Sequence, residues 1–132
     1  MGMYTELDFN SRLRKDIAVG VLDTLGYMLG EREDEPTELP KHPLFETERW
    51  RFMLQSDSYY FDADTHSTLR WDWQDDWYLN IRCNLKNYDS EIEHFIDWIM
   101  PHLGEYHIEG DFLGFYRYEE DEEPNIIYYK EL

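Results

Sequence analysis

The sequence is short of cysteine and of basic residues, and both shortages limit what the protein can be. Its 132 residues include one cysteine, Cys83, so no disulfide can form within the chain, and we expect a reducing compartment, the cytoplasm. Twelve Lys and Arg stand against 30 Asp and Glu, which gives a net charge of −18. Because such a surface repels nucleic-acid phosphates and anionic lipids, we expect neither to be a direct ligand.

Long apolar runs and linker segments are also missing. No stretch approaches the roughly 18 apolar residues of a membrane span, and Glu6 and Asp8 stand where a signal peptide needs an apolar core. We therefore expect no contact with a membrane. The length suits one domain and no linker divides the chain, so we predict a single domain over residues 1–132. With 42% hydrophobic residues, the chain should fold.

Alternating and helical spacing of apolar residues predicts an α+β fold. From Met3 to Leu13 apolar and polar residues alternate, as in a strand with one side in water. One helix is predicted after Asp16 as N-cap, and a second after a capping box of Ser90 and Glu93. Further strands are predicted at Trp50–Leu54, Tyr59–Phe61, Thr68–Trp73, Trp77–Leu85, Tyr106–Glu119 and Asn125–Lys130.

The order of these elements predicts how they pack. We expect a largely antiparallel sheet of five to six strands with two helices packed on one face, a ferredoxin-like variant. Alternate residues of the strand Trp77–Leu85 should face the core, which makes Cys83 a core residue instead of a reactive thiol. The Tyr-rich strand edges could pair across a homodimer.

No motif in the sequence identifies a catalytic, cofactor or metal site. The chain has no phosphate-binding glycine loop, no serine elbow and no Cys-x-x-Cys pair. Asp62–His66 fails as the start of a calcium loop because Ser67 and Trp73 replace the required glycine and glutamate, so we predict a turn. Glu91 and His94 have the spacing of a carboxylate-bridged metal site, but the other predicted helix has no histidine. We expect neither an enzyme nor a cofactor.

The most unusual feature is the excess of acid in the last third of the chain. Residues 89–123 hold 12 acidic residues and one basic residue, Arg117, so that −11 of the net −18 lies there. Solubility and protection of sheet edges explain part of this charge, yet a small domain needs a net charge of only about 2 to 8. We therefore predict an acidic surface that binds a basic protein. Its candidate residues are Glu91, Asp97, Glu109, Asp111, Glu119, Glu120, Asp121, Glu122 and Glu123.

Two segments of the C-terminal half carry a resemblance to known sequences. RCNLKNYDSEIEHFIDWIMP (Arg82–Pro101) and GFYRYEEDEEPNIIYY (Gly114–Tyr129) are similar to parts of short uncharacterised acidic α+β proteins of bacteria and their phages. The resemblance implies a bacterial or phage source. Together with the charge, it suggests a non-enzymatic inhibitor that masks a basic, possibly nucleic-acid-binding, partner by presenting spaced anions.

Two other interpretations of the sequence remain open. The surplus of aromatic residues, which includes Trp50, Trp71, Trp73, Trp77, Tyr59 and Tyr60, could line a pocket for a small ligand. The acidic surface could also serve only to keep the protein soluble.

Overall fold

The computed structural model describes residues 3–58, 61, 64–72 and 74–131. Within these residues the protein has five strands and two α-helices. In chain order they are β1 (Thr5–Arg12), α1 (Val19–Met28), β2 (Thr68–Trp71), β3 (Trp77–Leu85), α2 (Glu91–Ile99), β4 (Phe112–Tyr118) and β5 (Asn125–Tyr128). Short 3₁₀ helices lie at Pro43–Glu46 and Met100–His102.

The strands form one antiparallel sheet in the order β2-β3-β1-β4-β5. The N-terminal strand β1 is central, and its Leu7 lies opposite Cys83 of β3 on one side and Tyr116 of β4 on the other. A βαββαβ chain with the strand order 2-3-1-4 is the ferredoxin-like arrangement, to which β5 adds a strand at the β4 edge. The predicted α+β fold is therefore confirmed.

Both helices pack on the face of the sheet that β1 makes apolar. Along β1 the residues Thr5, Leu7, Phe9 and Ser11 are buried and their neighbours are half-exposed, as the alternation predicted. From α1 the buried residues are Val21, Thr24, Leu25 and Met28, and from α2 they include Ile92, Phe95 and Ile99. Burying each large aliphatic or aromatic side chain contributes about 1.5–3 kcal/mol. These apolar side chains belong to one core cluster.

Cys83 lies in this core, where the sequence placed it. It has no exposed surface, and burial raises the pKa of its thiol to about 12. Because the thiolate is the reactive form, this side chain packs as a small apolar residue.

The first helix begins later than the sequence predicted. Asp16 does not cap it, because the Asp16 carboxylate instead accepts a hydrogen bond from Arg14 Nε at 2.8 Å. The helix starts at Val19, and Ala18 at its N-cap offers no side-chain acceptor. The Asp16 carboxylate thus pairs with the Arg14 guanidinium, and the first helix has no side-chain cap.

The second helix is capped by a residue outside the predicted capping box. Ser90 is left-handed (φ 57°) and makes no side-chain cap, so the Ser90 part of the box is wrong. Asn87 replaces it, because its Oδ1 accepts from the Ile92 N–H at 2.8 Å. The Asn87 amide also donates to Glu93 Oε1 at 2.7 Å. Glu93 therefore keeps a role at the helix start, with a different partner.

Residues 50–55 form turns, and the predicted strand Trp50–Leu54 is wrong. The buried residues Trp50, Met53 and Leu54 have the spacing of a helical turn, and Phe52 is exposed. The N–H of Phe52 donates to the Arg49 carbonyl, and the N–H of Gln55 donates to the Phe52 carbonyl. Phe52, Met53 and Leu54 are three consecutive apolar residues, so the sequence is compatible with the strand period and with the helical period. Packing in the core buries the residues at the helical spacing.

Other predicted elements are shorter in the structure or fall beyond its description. The strand predicted from Tyr106 begins only at Phe112, and the last strand ends at Tyr128. Tyr59 and Tyr60 of another predicted strand lie outside the described residues. The same holds for Asp62 and Ala63 of the predicted turn and for Trp73.

Gly114 allows β4 to approach β1 closely. The β4–β5 register shifts between Phe112 and Gly114, which is a β-bulge. A Cβ on Gly114 would collide with the carbonyl oxygen of Asp8 and lie 2.9 Å from the Cα of Phe9. Only glycine fits here, and this fit sets the position of the β4–β5 hairpin beside α2.

Candidate partner-binding surface

The turn Glu119–Glu123 between β4 and β5 carries five consecutive carboxylates. The eight arginines of the chain all pair with carboxylates elsewhere: Arg12, Arg14, Arg32, Arg49, Arg51, Arg70, Arg82 and Arg117. Arg117 is the nearest of them, but its guanidinium pairs with Glu6 and donates to the backbone carbonyl of Asp121. In the described chain, Glu120, Asp121, Glu122 and Glu123 form no ion pair with Lys or Arg. The charge of this turn is largely uncompensated.

Backbone hydrogen bonds hold the turn in place. Glu119 Oε2 accepts from the Tyr4 N–H at 3.0 Å, and Asp121 Oδ2 accepts from the Tyr118 N–H at 3.3 Å. These bonds leave Glu120, Glu122 and Glu123 exposed to solvent. The carboxylates are therefore presented on an ordered turn.

A cavity of about 210 Å³ lies between this turn and the start of α2. Its walls include Glu93 of α2 and Asp121 of the turn, with Tyr116 and Tyr118 between them. Burial raises the pKa of the Tyr116 phenol, and the carboxylates of Glu93 and Asp121 raise it further. Since both carboxylates act on one phenol, the helix and the turn combine their charges.

Tyr118 reports the same acidic environment. Desolvation raises the pKa of its phenol, and the carboxylates of Glu120 and Glu119 add to the increase. An anionic phenolate is unfavourable beside so many carboxylates. The site therefore favours neutral or positively charged groups.

A second cavity, of about 290 Å³, continues the first along α2 and β5, and both are lined by Glu93 and Tyr116. Asp97 lies one helical turn beyond Glu93 and lines this second cavity with its carboxylate 77% exposed. Asp97 Oδ2 lies 2.8 Å from His42 Nε2. Because His42 Nδ1 accepts from the Leu44 N–H, its Nε2 carries the proton donated to Asp97. We call the two cavities together the α2–β5 groove.

Glu91 does not belong to this surface, and its prediction as a partner-contacting residue is corrected. Its side chain has no exposed area. Glu91 Oε1 accepts from the Asp89 N–H at 3.0 Å, and Oε2 accepts from the Arg49 N–H at 3.2 Å. The Arg49 guanidinium lies 3.7 Å from Oε2. The first turn of α2 directs this carboxylate inward, where it satisfies two backbone donors.

Glu109 and Asp111 lie at the opposite end of β4 from the acidic turn. The seven residues of β4 separate them from it by about 23 Å, at about 3.3 Å per residue. Glu109 Oε2 accepts from the Glu131 N–H at 2.8 Å, and Asp111 Oδ2 accepts from the Ile108 N–H at 3.0 Å. The nine predicted residues therefore do not form one surface. Five of them form the turn, and Asp97 lies on the adjoining groove.

Sequence reasoning missed the groove residues that connect helix and hairpin. Glu93 was assigned to a helix cap, although its i,i+4 spacing from Asp97 indicates one exposed helix face. Tyr116 and Tyr118 were predicted only as part of the strand Tyr106–Glu119. Nothing in the sequence shows that the face of β4 carrying them opens beside α2.

Ser11, His107 and Asp111 form a chain that resembles a nucleophile, a base and an orienting acid. Ser11 Oγ lies 2.8 Å from His107 Nε2, and His107 Nδ1 lies 3.4 Å from Asp111 Oδ2. The Ser11 hydroxyl, however, donates its one proton to the Arg12 carbonyl at 2.9 Å, and Ser11 is only 4% exposed. A nucleophile needs the opposite arrangement, with its proton given to histidine and its oxygen accessible. The three residues tie segment 107–111 to the end of β1.

The tryptophans predicted to lie together are divided between core and surface. Trp50 is fully buried, with ring centroids 4.9 Å from Phe45 and 6.0 Å from Tyr27. Trp71 is exposed on β2 and packs edge-on against Trp77 at 5.3 Å. Packing therefore accounts for these three rings.

No family model, curated protein or solved structure matches the chain. Across the residues that the structure describes, neither helix has the length and apolar character needed to cross a bilayer. Over the same residues, no three His, Cys, Asp or Glu side chains are grouped so that they could hold a metal ion.

Proposed function

We propose that the protein is a non-enzymatic binding protein whose acidic surface docks on, and masks, a basic surface of a partner protein. One observation carries the proposal. Asp121 of the acidic turn and Glu93 of α2 line the same cavity, whereas every arginine forms its ion pair elsewhere. Repulsion among these carboxylates costs folding free energy. A counter-charge supplied by a partner offsets that cost at the moment of binding.

The class of basic partner that fits best is a protein whose surface normally binds nucleic-acid phosphates. Such surfaces display Lys and Arg spaced to meet successive anions. The turn and the exposed face of α2 offer anions at several separate points, namely Glu120, Glu122, Glu123, Glu93 and Asp97. The resemblance of Arg82–Pro101 and Gly114–Tyr129 to proteins of bacteria and phages supports a partner from a bacterial cell.

The test compares two triple variants that remove the same charge. In the first, Glu120, Glu122 and Glu123 are replaced by Gln, which leaves the backbone contacts of Glu119 and Asp121 in place. The control carries Glu33→Gln, Asp34→Asn and Glu38→Gln, which alter exposed acids in the segment after α1. Basic proteins captured from a bacterial lysate are purified, and their association rates are measured over a range of salt concentrations.

We expect the turn variant to associate about tenfold more slowly at low salt and to depend less on salt, since long-range attraction sets the encounter rate. The control should behave as the unchanged protein does. If the turn variant and the unchanged protein bind every purified partner at equal rates, the proposal fails.

A small-ligand pocket is the second candidate function, because Tyr88, Tyr116 and Tyr118 line the cavity of about 210 Å³. A ligand that binds the folded state alone must raise the melting temperature. We expect such a rise from cationic metabolites in a thermal-shift screen. A screen in which no compound raises the melting temperature counts against this candidate.

A further inference from the structure

The α2–β5 groove has an apolar floor and an anionic rim. Ile96 of α2, Met100 of the 3₁₀ helix that follows it and Ile127 of β5 supply apolar surface, and Met100 and Ile127 are almost fully buried. The carboxylates of Glu93 and Asp97 stand above them on one helix face. Asp121 adds a third carboxylate where the groove meets the turn. An occupant must therefore combine long apolar stems with positive ends, which is the chemistry of Lys and Arg side chains.

One wall of the groove is a strand edge that can still form hydrogen bonds. β5 is the last strand of the sheet order, so one of its sides faces no strand in the described chain. The backbone N–H and C=O of Tyr129 point toward β4, because they bond to Asp111 and Gly110. Since these groups alternate along an antiparallel strand, those of Tyr128 and Ile126 point outward. An extended chain laid against β5 meets these groups in register.

Apolar side chains are exposed on the same strand. Ile126 is 40% exposed and Tyr128 is 50% exposed, and both line the groove. Phe112, which lies opposite Tyr128 on β4, is also exposed. Apolar residues that alternate with cations in an added strand would cover these side chains.

We propose that an extended segment rich in Lys or Arg, belonging to the basic partner, adds to the open edge of β5 and places its cations along the α2–β5 groove. This inference rests on the proposed function and specifies where and in what conformation the partner binds. Charge complementarity selects the occupant, because three carboxylates line the groove and Lys130 is its one cation among the described lining residues. A second copy of the chain, with a net charge of −18, would bring two acidic turns to the same edge.

The binding test uses a short labelled peptide in which Lys and Val alternate, with the matching Glu and Val peptide as its control. Binding is followed by fluorescence anisotropy at low salt. Replacing Glu93 by Gln and Asp121 by Asn should weaken binding of the Lys peptide about fivefold to tenfold, as expected for two partly exposed charges. The matched variant Glu33→Gln with Asp34→Asn should bind as the unchanged protein does. Lys130→Gln should tighten binding about twofold to threefold.

Amide hydrogen exchange decides whether the peptide binds as a strand. We expect the amides of Ile126 and Tyr128 to become protected when the Lys peptide is added, whereas the amide of Tyr129 is already hydrogen-bonded and should change little. If the Lys peptide binds without protecting Ile126 and Tyr128, the strand-addition proposal is overturned.

The two proposals can fail separately. If purified basic partners depend on the acidic turn while the Glu93 and Asp121 changes have no effect, the groove proposal is wrong and the docking function stands. If the Lys peptide protects the edge amides and no basic protein depends on the turn, the docking function is wrong in its proposed form. Protection of Ile126 and Tyr128 that grows with protein concentration and needs no peptide identifies a second copy as the occupant and overturns the groove proposal.

Discussion

Replacing Glu91 by Leu should destabilise the protein strongly, although the residue belongs to an acidic segment. The side chain is fully buried, accepts backbone hydrogen bonds from Asp89 and Arg49, and lies 3.7 Å from the Arg49 guanidinium. Leucine leaves both backbone donors without their acceptor and removes the buried carboxylate beside Arg49, which keeps only the exposed Glu48 carboxylate at 3.7 Å. The two unsatisfied backbone donors cost about 1–3 kcal/mol each, and with the weakened pairing of the partly exposed Arg49 the loss should be about 3–5 kcal/mol. With a urea m value of about 1–3 kcal/mol per molar, the unfolding midpoint should fall by about 1–5 M.

Urea unfolding followed by circular dichroism measures this change. The control Glu122→Leu makes the same chemical change at an exposed position and should stay within about 0.5 kcal/mol of the unchanged protein. The double variant Arg49→Met with Glu91→Leu should recover part of the loss, because it also removes the charge that has lost its buried partner. If Glu91→Leu shifts the midpoint no more than Glu122→Leu does, our account of the buried carboxylate is wrong.

Two further predictions concern the tyrosines of the groove and the bulge in β4. Asp121→Asn should lower the pKa of Tyr116 and Tyr118, because it removes a carboxylate that raises both pKa values. Titration of phenolate absorbance measures this change. An unchanged titration curve would mean that Asp121 lies too far from these rings. Since folding raises both pKa values above 10.0, the protonated phenols stabilise the folded state below about pH 10, and this stability should decline as the pH rises further. Gly114→Ala should cost about 2–3 kcal/mol in thermal or urea unfolding, because its methyl group meets the Asp8 carbonyl, whereas Gly20→Ala meets nothing within 4 Å and should be tolerated.

The sequence predicts the sheet well because most strands have one wet face. The alternation in β1 and in the two runs around Gln74–Asp76 specifies the strand period, and the hairpin of β2 and β3 forms as expected. The predicted strand Trp50–Leu54 was wrong because a short apolar run is equally compatible with the strand period and the helical period. The predicted N-caps Asp16 and Ser90 were wrong. Asp16 bonds to Arg14 instead of the first helix, and Asn87 caps the second helix in place of Ser90.

The site was harder to predict than the fold because charge along the chain does not specify which side chains share a surface. The turn Glu119–Glu123 could be located, since consecutive residues stay together. Glu91 and Glu93 are two residues apart, yet one is buried and the other is exposed. The contribution of Tyr116 to the groove depends on the distance between α2 and β4, which only the packed core determines.

The central place of β1 determines when the protein can fold during synthesis. The first strand pairs with residues near the end of the chain, as Thr5 does with Tyr118. While the ribosome is still translating the middle of the message, β1 therefore has an apolar face and an unpaired edge that no completed neighbour covers. Folding driven by such distant pairings is slow, and the nascent chain is open to aggregation until its last third emerges. The same acidic segment that completes the sheet carries −11 of the net charge of −18, so the unfinished chain also lacks most of the like charge that would keep such chains apart.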